Sequence, residues 1–185
     1  AALLASERGH KVTLFEKKKE LGGQLNDADV MSFKYDLKAY KNYLIRHVGR
    51  DENIDVRLGV EVTPEMLKAM DFDTVVCAIG AEPIIPPIPG VDGANVCTAI
   101  CALHDHTKLA KDVVIIGGGL VGAETGIHLL ELGRNVTIVE MTGRVAADCA
   151  GSHHEACISR LKDAKVLMNT KCTRVTENAV IAETE

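Results

Sequence analysis

Apolar and polar residues follow one another along the first part of the chain in blocks that predict helices and short strands. Residues 1–5 (AALLA) have the composition of an apolar helix interior, which Gly9 ends. Residues 11–16 (KVTLFE) follow as a short strand with an acid at its end. Because no capping residue precedes Ala1, we expect the chain to begin partway through a strand–helix–strand unit. The next predicted elements are an amphipathic helix, a strand and a short helix, at residues 32–48, 54–58 and 64–70.

The second part of the chain shows the same alternation. The apolar run at residues 74–79 (TVVCAI) predicts a buried parallel strand that Gly80 ends. Four of the five prolines lie in residues 83–90 and predict a stiff, extended connector. Beyond it we predict strands at 112–116, 135–140 and 165–168, helices at 120–132 and 152–164, and a hairpin of strands 172–175 and 179–182.

This order of elements predicts an α/β fold, a Rossmann-like parallel sheet with flanking helices. We place the domain boundary after the proline-rich connector. Residues 1–99 then form one incomplete domain, and residues 100–185 form a second domain whose C-terminal end is not clearly marked.

Composition excludes several classes of function. The chain is 46% hydrophobic and 25% charged, which is ordinary for a globular protein, and it holds no apolar run long enough to span a membrane. Its net charge of −5 is opposite to the basic surface that nucleic-acid binding needs. None of the six cysteines forms a Cys-x-x-Cys pair, and we expect no signal peptide. We therefore expect a cytoplasmic protein with reduced thiols and with neither a nucleic acid nor a membrane as partner.

A glycine-rich sequence, GGGLVG at residues 117–122, lies between a predicted strand and a predicted helix. In that context the motif predicts a dinucleotide site. Gly117 would permit the tight turn, Gly119 would let the backbone approach a pyrophosphate, and Gly122 would let the helix pack on the strand. The free N–H groups at the helix start favour the phosphates. The backbone of the whole loop is predicted to contact the dinucleotide, including Gly118, Leu120 and Val121.

Two acidic residues complete this predicted site. Glu140 comes 23 residues after Gly117, close to the roughly 20 expected for an acid that binds a ribose 2′-hydroxyl. A carboxylate there repels a 2′-phosphate, so we predict NADH rather than NADPH, with nearby Arg144 as the one cation that opposes this preference. Glu124 lies on the second helical turn. It either faces the junction of nicotinamide and flavin or simply favours the positive helix N-terminus.

A weak internal repeat predicts a second dinucleotide. Residues 7–16 (ERGHKVTLFE) parallel residues 131–140 (ELGRNVTIVE), each with a helix end, a glycine, a basic residue, a strand and a terminal glutamate. By this comparison Glu16 would bind the ribose of the second dinucleotide. The alternative is an exposed acid at the end of a strand.

Several segments resemble those of flavoproteins with two dinucleotide domains. LFEK at residues 14–17 followed by LGGQL at 21–25 is similar to the acid that binds the FAD ribose and its following loop. VCAIGAEP at 76–83 is similar to the segment where the chain leaves the FAD domain, and GGGLVGAE at 117–124 to the NADH loop. The resemblance is strongest to the C-terminal half of the old yellow enzyme-like NADH:flavin oxidoreductases, which include 2,4-dienoyl-CoA reductase and clostridial enoate reductases.

The resemblance implies a larger parent with an N-terminal TIM barrel that carries FMN and an iron–sulfur cluster. NADH would reduce FAD, and the electrons would pass to the barrel for reduction of an enoate or enoyl-CoA-like substrate. The catalytic residues would lie in the barrel, so none is assigned here, and we expect this chain alone to be inactive. Ile79 stands where the family usually has Thr, and no FAD glycine loop precedes Ala1. The FAD contacts implied by the resemblance are Glu16, Lys17, Gly23, Gln24, Ala78 and Gly80.

Other interpretations remain open. A pyridine nucleotide–disulfide oxidoreductase would need a redox dithiol, and no Cys-x4-Cys lies near Gly22. A glutamate synthase-like electron-transfer subunit and a module that only binds nucleotide are two further alternatives. The pair of His153 and His154 is predicted to be solvated. Two groups of thiols and imidazoles are predicted to hold no metal: Cys97, Cys101, His104 and His106, and Cys149, His153, His154 and Cys157.

Overall fold

The computed structural model describes residues 1–184 of the 185. The chain divides into two compact units, Ala1–Glu82 and Pro83–Glu185. This division comes before the proline-rich segment, whereas the sequence placed the boundary between the two cofactor domains after it. Among the described residues, no helix is long and apolar enough to cross a membrane.

The first unit is built around a two-stranded parallel sheet. Strand β1 (Val12–Glu16) pairs with β2 (Ile54–Leu58), with Val12 opposite Ile54 and Glu16 opposite Leu58. Both strands were predicted within one residue. The helices of this unit are α1 (Ala2–Glu7), α2 (Leu25–Ala28), α3 (Tyr35–Val48), which follows a 3-10 turn at Ser32–Lys34, and α4 (Pro64–Lys68).

The prediction of a buried strand at residues 74–79 is wrong. This run has no regular secondary structure, and Val76 and Ile79 are 68% and 94% exposed. A parallel strand depends on a neighbouring strand for its hydrogen bonds and on cover for both faces. Within the described residues neither β1 nor β2 pairs with this run, so its apolar sequence alone does not produce a strand.

The second unit contains the predicted Rossmann-like sheet with parallel strands in the order β3-β4-β5. Its alternating elements are β3 (Asp112–Ile116), α6 (Leu120–Glu131), β4 (Asn135–Val139), α7 (Gly151–Arg160) and β5 (Lys165–Leu167). The central strand is β4, whose Ile138 is fully buried, and α6 covers it with Ala123, Ile127 and Leu129. The α/β class is therefore confirmed.

A short helix, α5 (Ala99–His104), was not predicted. Thr98 caps it, because its side-chain oxygen accepts a hydrogen bond of 3.3 Å from the backbone N–H of Cys101. Ala102 and Leu103 are buried. A helix of 6 residues shows too few turns for its periodicity to be recognised in the sequence.

The proline-rich segment is fastened to the C-terminal hairpin of strands β6 (Thr170–Val175) and β7 (Val180–Thr184). The N–H of Val175 donates a 2.8 Å hydrogen bond to the carbonyl of Pro89. Ile88 and Val96 pack against a cluster that includes Cys172 and Val175. Gly90 has φ +85°, and a Cβ there would lie 2.0 Å from the carbonyl oxygen of Val175. Only glycine therefore allows this close approach.

Candidate dinucleotide site

The glycine turn lies between β3 and α6 and has little room for side chains. Gly117 has φ +98°, which favours glycine, and its N–H donates to the carbonyl of Val139 at 2.9 Å. A Cβ on Gly122 would lie 2.0 Å from the carbonyl oxygen of Gly117. The first glycine therefore shapes the turn, and Gly122 lets the start of α6 lie directly against it.

Glu140 follows β4 and lies under the same turn. Its Oε2 accepts a 2.6 Å hydrogen bond from the N–H of Gly118, and its Oε1 accepts a 2.7 Å bond from the N–H of Thr142. Only 7% of the residue is exposed. Burial by itself raises the pKa of Glu140, but the hydrogen bonds from Thr142 and Gly118 outweigh burial, so the net pKa is below the usual value. Glu140 is thus a buried carboxylate that stays charged at neutral pH.

The start of α6 already has a carboxylate beside it. Oδ1 of Asp148 accepts a 2.8 Å hydrogen bond from the N–H of Leu120, the first residue of the helix. The loop that carries Asp148 is fixed to the glycine turn, because the N–H of Ala146 donates to the carbonyl of Gly118 at 2.6 Å. A carboxylate stabilises the positive end of a helix, where a pyrophosphate would also bind. The sequence did not identify Asp148, because only the folded loop brings it to the helix.

Other predicted residues of the loop have different environments. Gly119 caps α6, and Val121 on the first turn is 63% exposed. Glu124 is 4% exposed and directs Oε1 towards α7, where Nε2 of His153 lies 3.5 Å away. Glu124 therefore contacts a side chain of α7 as well as lying near the start of its own helix.

The residues predicted to contact FAD lie in the first unit. Gly23 has φ +53°, and the amide of Gln24 donates a 2.9 Å hydrogen bond to the carbonyl of Ala81. This bond joins the 21–25 loop to the segment that contains Ala78 and Gly80. The two segments would have to lie side by side in this way to bind the same ligand. At the end of β1, Oε1 of Glu16 accepts a 2.8 Å hydrogen bond from the N–H of Lys18. Lys17, Ala78 and Gly80 are exposed.

The cysteine and histidine groups do not behave alike. Cys149, His153 and Cys157 offer ligand atoms that all lie within 4.8 Å of one another. His154 points elsewhere, since its side chain is 12% exposed and its Nε2 lies 3.0 Å from the carbonyl of Val145. The prediction of a solvated histidine pair is therefore wrong for His154.

The group of Cys97, Cys101, His104 and His106 does not converge in this way within residues 1–184. Partial burial raises the pKa of the Cys97 thiol, and neighbouring Cys101 raises it further. A raised pKa disfavours the reactive thiolate.

The parallel strands, the glycine turn and the buried terminal acid define the fold of a dinucleotide-binding oxidoreductase. The chain belongs to the pyridine nucleotide-disulphide oxidoreductase family, which it matches over residues 1–185. The first cysteine of the chain is Cys77, so the 17–25 loop holds no thiol.

Similar proteins are oxidoreductases. The chain is 39% identical to a bilirubin reductase of Mediterraneibacter gnavus over 99% of its own length and 29% of that protein. It is 42% identical to an NADH oxidase of Thermoanaerobacter brockii over 80% of its own length and 23% of that protein. A 2-naphthoyl-CoA reductase in complex with 2-naphthoyl-CoA superimposes with a TM-score of 0.86 and 28% identity, covering 98% of this chain and 28% of the other.

The chain therefore spans less than a third of the length of each of these relatives. The family and the NADH oxidase imply FAD and NAD(H) as cofactors of these enzymes.

Proposed function

We propose that the second unit binds NADH at the glycine turn. The pyrophosphate would lie against the N–H groups at the start of α6, and the adenosine ribose would bind the carboxylate of Glu140. The observation that carries this proposal is the buried, charged Glu140, which follows β4 and accepts a 2.6 Å hydrogen bond from the N–H of Gly118. Each carboxylate oxygen can accept more than one hydrogen bond, so the bonds to Gly118 and Thr142 leave capacity for ribose hydroxyls.

The same carboxylate supports NADH over NADPH. A 2′-phosphate beside Glu140 would meet a fixed negative charge, which is costly in a partly buried site. Met141 next to it is uncharged and exposed. Nε of Arg144 lies 3.3 Å from Nε2 of His154 on α7. The charge of Glu140 and the uncharged side chain of Met141 support the preference for NADH.

We infer that the first unit contributes to an FAD site in the parent protein. Glu16 ends β1 as Glu140 follows β4, and the bond from Gln24 to Ala81 joins the two segments assigned to FAD. When bound, FAD would accept a hydride from NADH and pass electrons onward. The residues of this chain would bind and orient the two dinucleotides, and residues 1–99 and 100–185 remain our assignment of the FAD and NADH halves.

For the whole parent we propose reduction of a conjugated, unsaturated substrate, in a barrel domain that holds FMN and an iron–sulfur cluster. Bilirubin and 2-naphthoyl-CoA, which give two relatives their names, both contain conjugated carbon–carbon double bonds. The chain covers under a third of these relatives, so the substrate-reducing groups are assigned to the remainder of the parent.

Calorimetric titration of the purified chain with NADH and with NADPH tests the cofactor proposal. We expect NADH to bind at least about 10-fold more tightly, because placing one phosphate charge next to Glu140 costs about 1.4 kcal/mol or more. Equal affinities, tighter binding of NADPH or no binding of either would refute it. A full-length parent that is purified without flavin absorbance would refute the FAD proposal separately.

A further inference from the structure

A cluster of potential metal ligands lies where α7 begins, outside the glycine turn. Cys149, His153 and Cys157 are each separated by four positions and therefore lie on one side of the helix and its entry. Their two sulfur atoms and the imidazole nitrogen are all within 4.8 Å of one another. Cys157 is buried, Cys149 is half-buried and His153 reaches the surface.

A fourth potential ligand comes from the neighbouring helix. Glu124 of α6 is buried, and its Oε1 lies 3.5 Å from Nε2 of His153. In a tetrahedral zinc site, adjacent nitrogen and oxygen ligands are about 3.3 Å apart and two sulfur ligands about 3.8 Å apart, as the metal–ligand bond lengths require. The ligand atoms of Cys149, His153 and Cys157 therefore need movements of about 1 Å to enclose an ion, whereas the carboxylate of Glu124 is not within 4.8 Å of all three and has to move further.

We propose that Cys149, His153, Cys157 and Glu124 form a binding site for a divalent transition metal of the zinc type. Two thiolates and an imidazole are ligands that Zn²⁺ prefers, and a carboxylate completes four-coordination. Binding displaces one proton from each thiol to the solvent, while the imidazole binds in its neutral form. The ion joins α6 to α7 and leaves Gly117 and Glu140 untouched, and Glu124 is the one residue that it shares with the predicted dinucleotide site.

A bound Zn²⁺ offsets two of the three negative charges that the carboxylate and the two thiolates carry, so the occupied site keeps a net charge of −1. The sequence singled out Cys149, His153 and Cys157 together with His154 but predicted no metal there, and it did not connect them with Glu124, which is 25 positions before Cys149.

Metal titration of the purified, reduced and chelator-treated chain tests the proposal. We expect one equivalent of Zn²⁺ to bind, and Co²⁺ to give a thiolate-to-cobalt charge-transfer absorption. Cys149→Ser and His153→Ala should each weaken Zn²⁺ binding by about 100-fold or more, since even residues that only support the ligands cost 10- to 100-fold. Both positions lie at or near the surface, and unchanged far-UV circular dichroism will show that the variants fold.

Matched controls are Cys77→Ser and His10→Ala, which remove the same groups from exposed positions outside the cluster and should leave Zn²⁺ affinity unchanged. Glu124→Gln should weaken binding by about 10-fold and keep the charge-transfer absorption. Unchanged affinity in Glu124→Gln would overturn the assignment of that carboxylate.

Three results would overturn the site as a whole. These are full zinc stoichiometry in the Cys149→Ser/His153→Ala double variant, a cobalt spectrum without thiolate charge transfer, and a Cys149–Cys157 disulfide recovered from zinc-saturated protein.

Discussion

Replacing Glu140 by glutamine tests whether the glycine turn depends on a charged carboxylate. The amide oxygen of Glu140→Gln can accept from only one of the two N–H groups of Gly118 and Thr142, and its NH2 group faces the other donor. One buried donor is then left unsatisfied, and the remaining bond loses its charge assistance. Because a bond to a charged group contributes about 1.5–3 kcal/mol, we expect the free energy of unfolding to fall by about 2–3 kcal/mol at neutral pH.

The pH dependence of this loss follows from the direction of the pKa shift. The pKa of Glu140 is lower in the folded chain than in the unfolded chain. Its contribution to stability is therefore fully present above the unfolded-state pKa and is lost as the pH falls through the folded-state pKa. The difference between wild type and Glu140→Gln should shrink over that acidic range.

Urea unfolding can assign the effect to one unit. All three tyrosines lie on α3 and the chain has no tryptophan, so tyrosine fluorescence reports on the first unit. We expect Glu140→Gln to shift the transition seen by far-UV circular dichroism and to leave the tyrosine transition in place. Glu177→Gln makes the same chemical change at an exposed position of the second unit and should alter stability by less than about 0.5 kcal/mol. Equal stability of the two variants, or a deficit that does not shrink in acid, would refute this account of the turn.

Three further predictions concern the same unit. Gly122→Ala should destabilise the chain by about 1–3 kcal/mol and abolish NADH binding, since its Cβ would lie 2.0 Å from the carbonyl oxygen of Gly117. Urea unfolding and calorimetry measure the two effects, and unaltered binding would contradict this prediction. Asp148→Asn should tighten NADH binding by about 2- to 5-fold, because it removes a negative charge worth about 0.3–1 kcal/mol from the helix end proposed to bind the pyrophosphate. Calorimetry measures the affinity, and weaker or equal binding would contradict this prediction. Burial raises the pKa of the Cys172 thiol, so Cys172 should be alkylated more slowly than exposed Cys77 at neutral pH. Mass spectrometry measures the two rates, whose difference should narrow as the pH rises; equal rates would contradict this prediction.

Local patterns in the sequence determine most of the second unit. The limits of β3 were predicted to the residue, because an apolar run followed by glycines leaves few alternatives. The Gly117 turn and its packing against Gly122 also follow from local steric limits. The family was recognised at the level of flavoprotein oxidoreductases, since its motifs are short and local.

Contacts between distant segments account for what the sequence did not reveal. Residues 74–79 are as apolar as a buried strand, yet a strand also needs a neighbour, which a single segment does not encode. Asp148 reaches the start of α6 only through the folded loop that carries it, and the spacing of Cys149, His153 and Cys157 in the sequence does not show that their ligand atoms converge. The residue type of Asp148 is ordinary, and only its position in space suggests a role.

The bond between Pro89 and Val175 has a mechanical consequence for the chain. A proline-rich stretch between two compact bodies is usually regarded as a spacer whose full length can swing. In this chain Ile88 and Val96 pack against the hydrophobic cluster of the second unit, so the chain from residue 88 onward is part of that unit and not a free spacer.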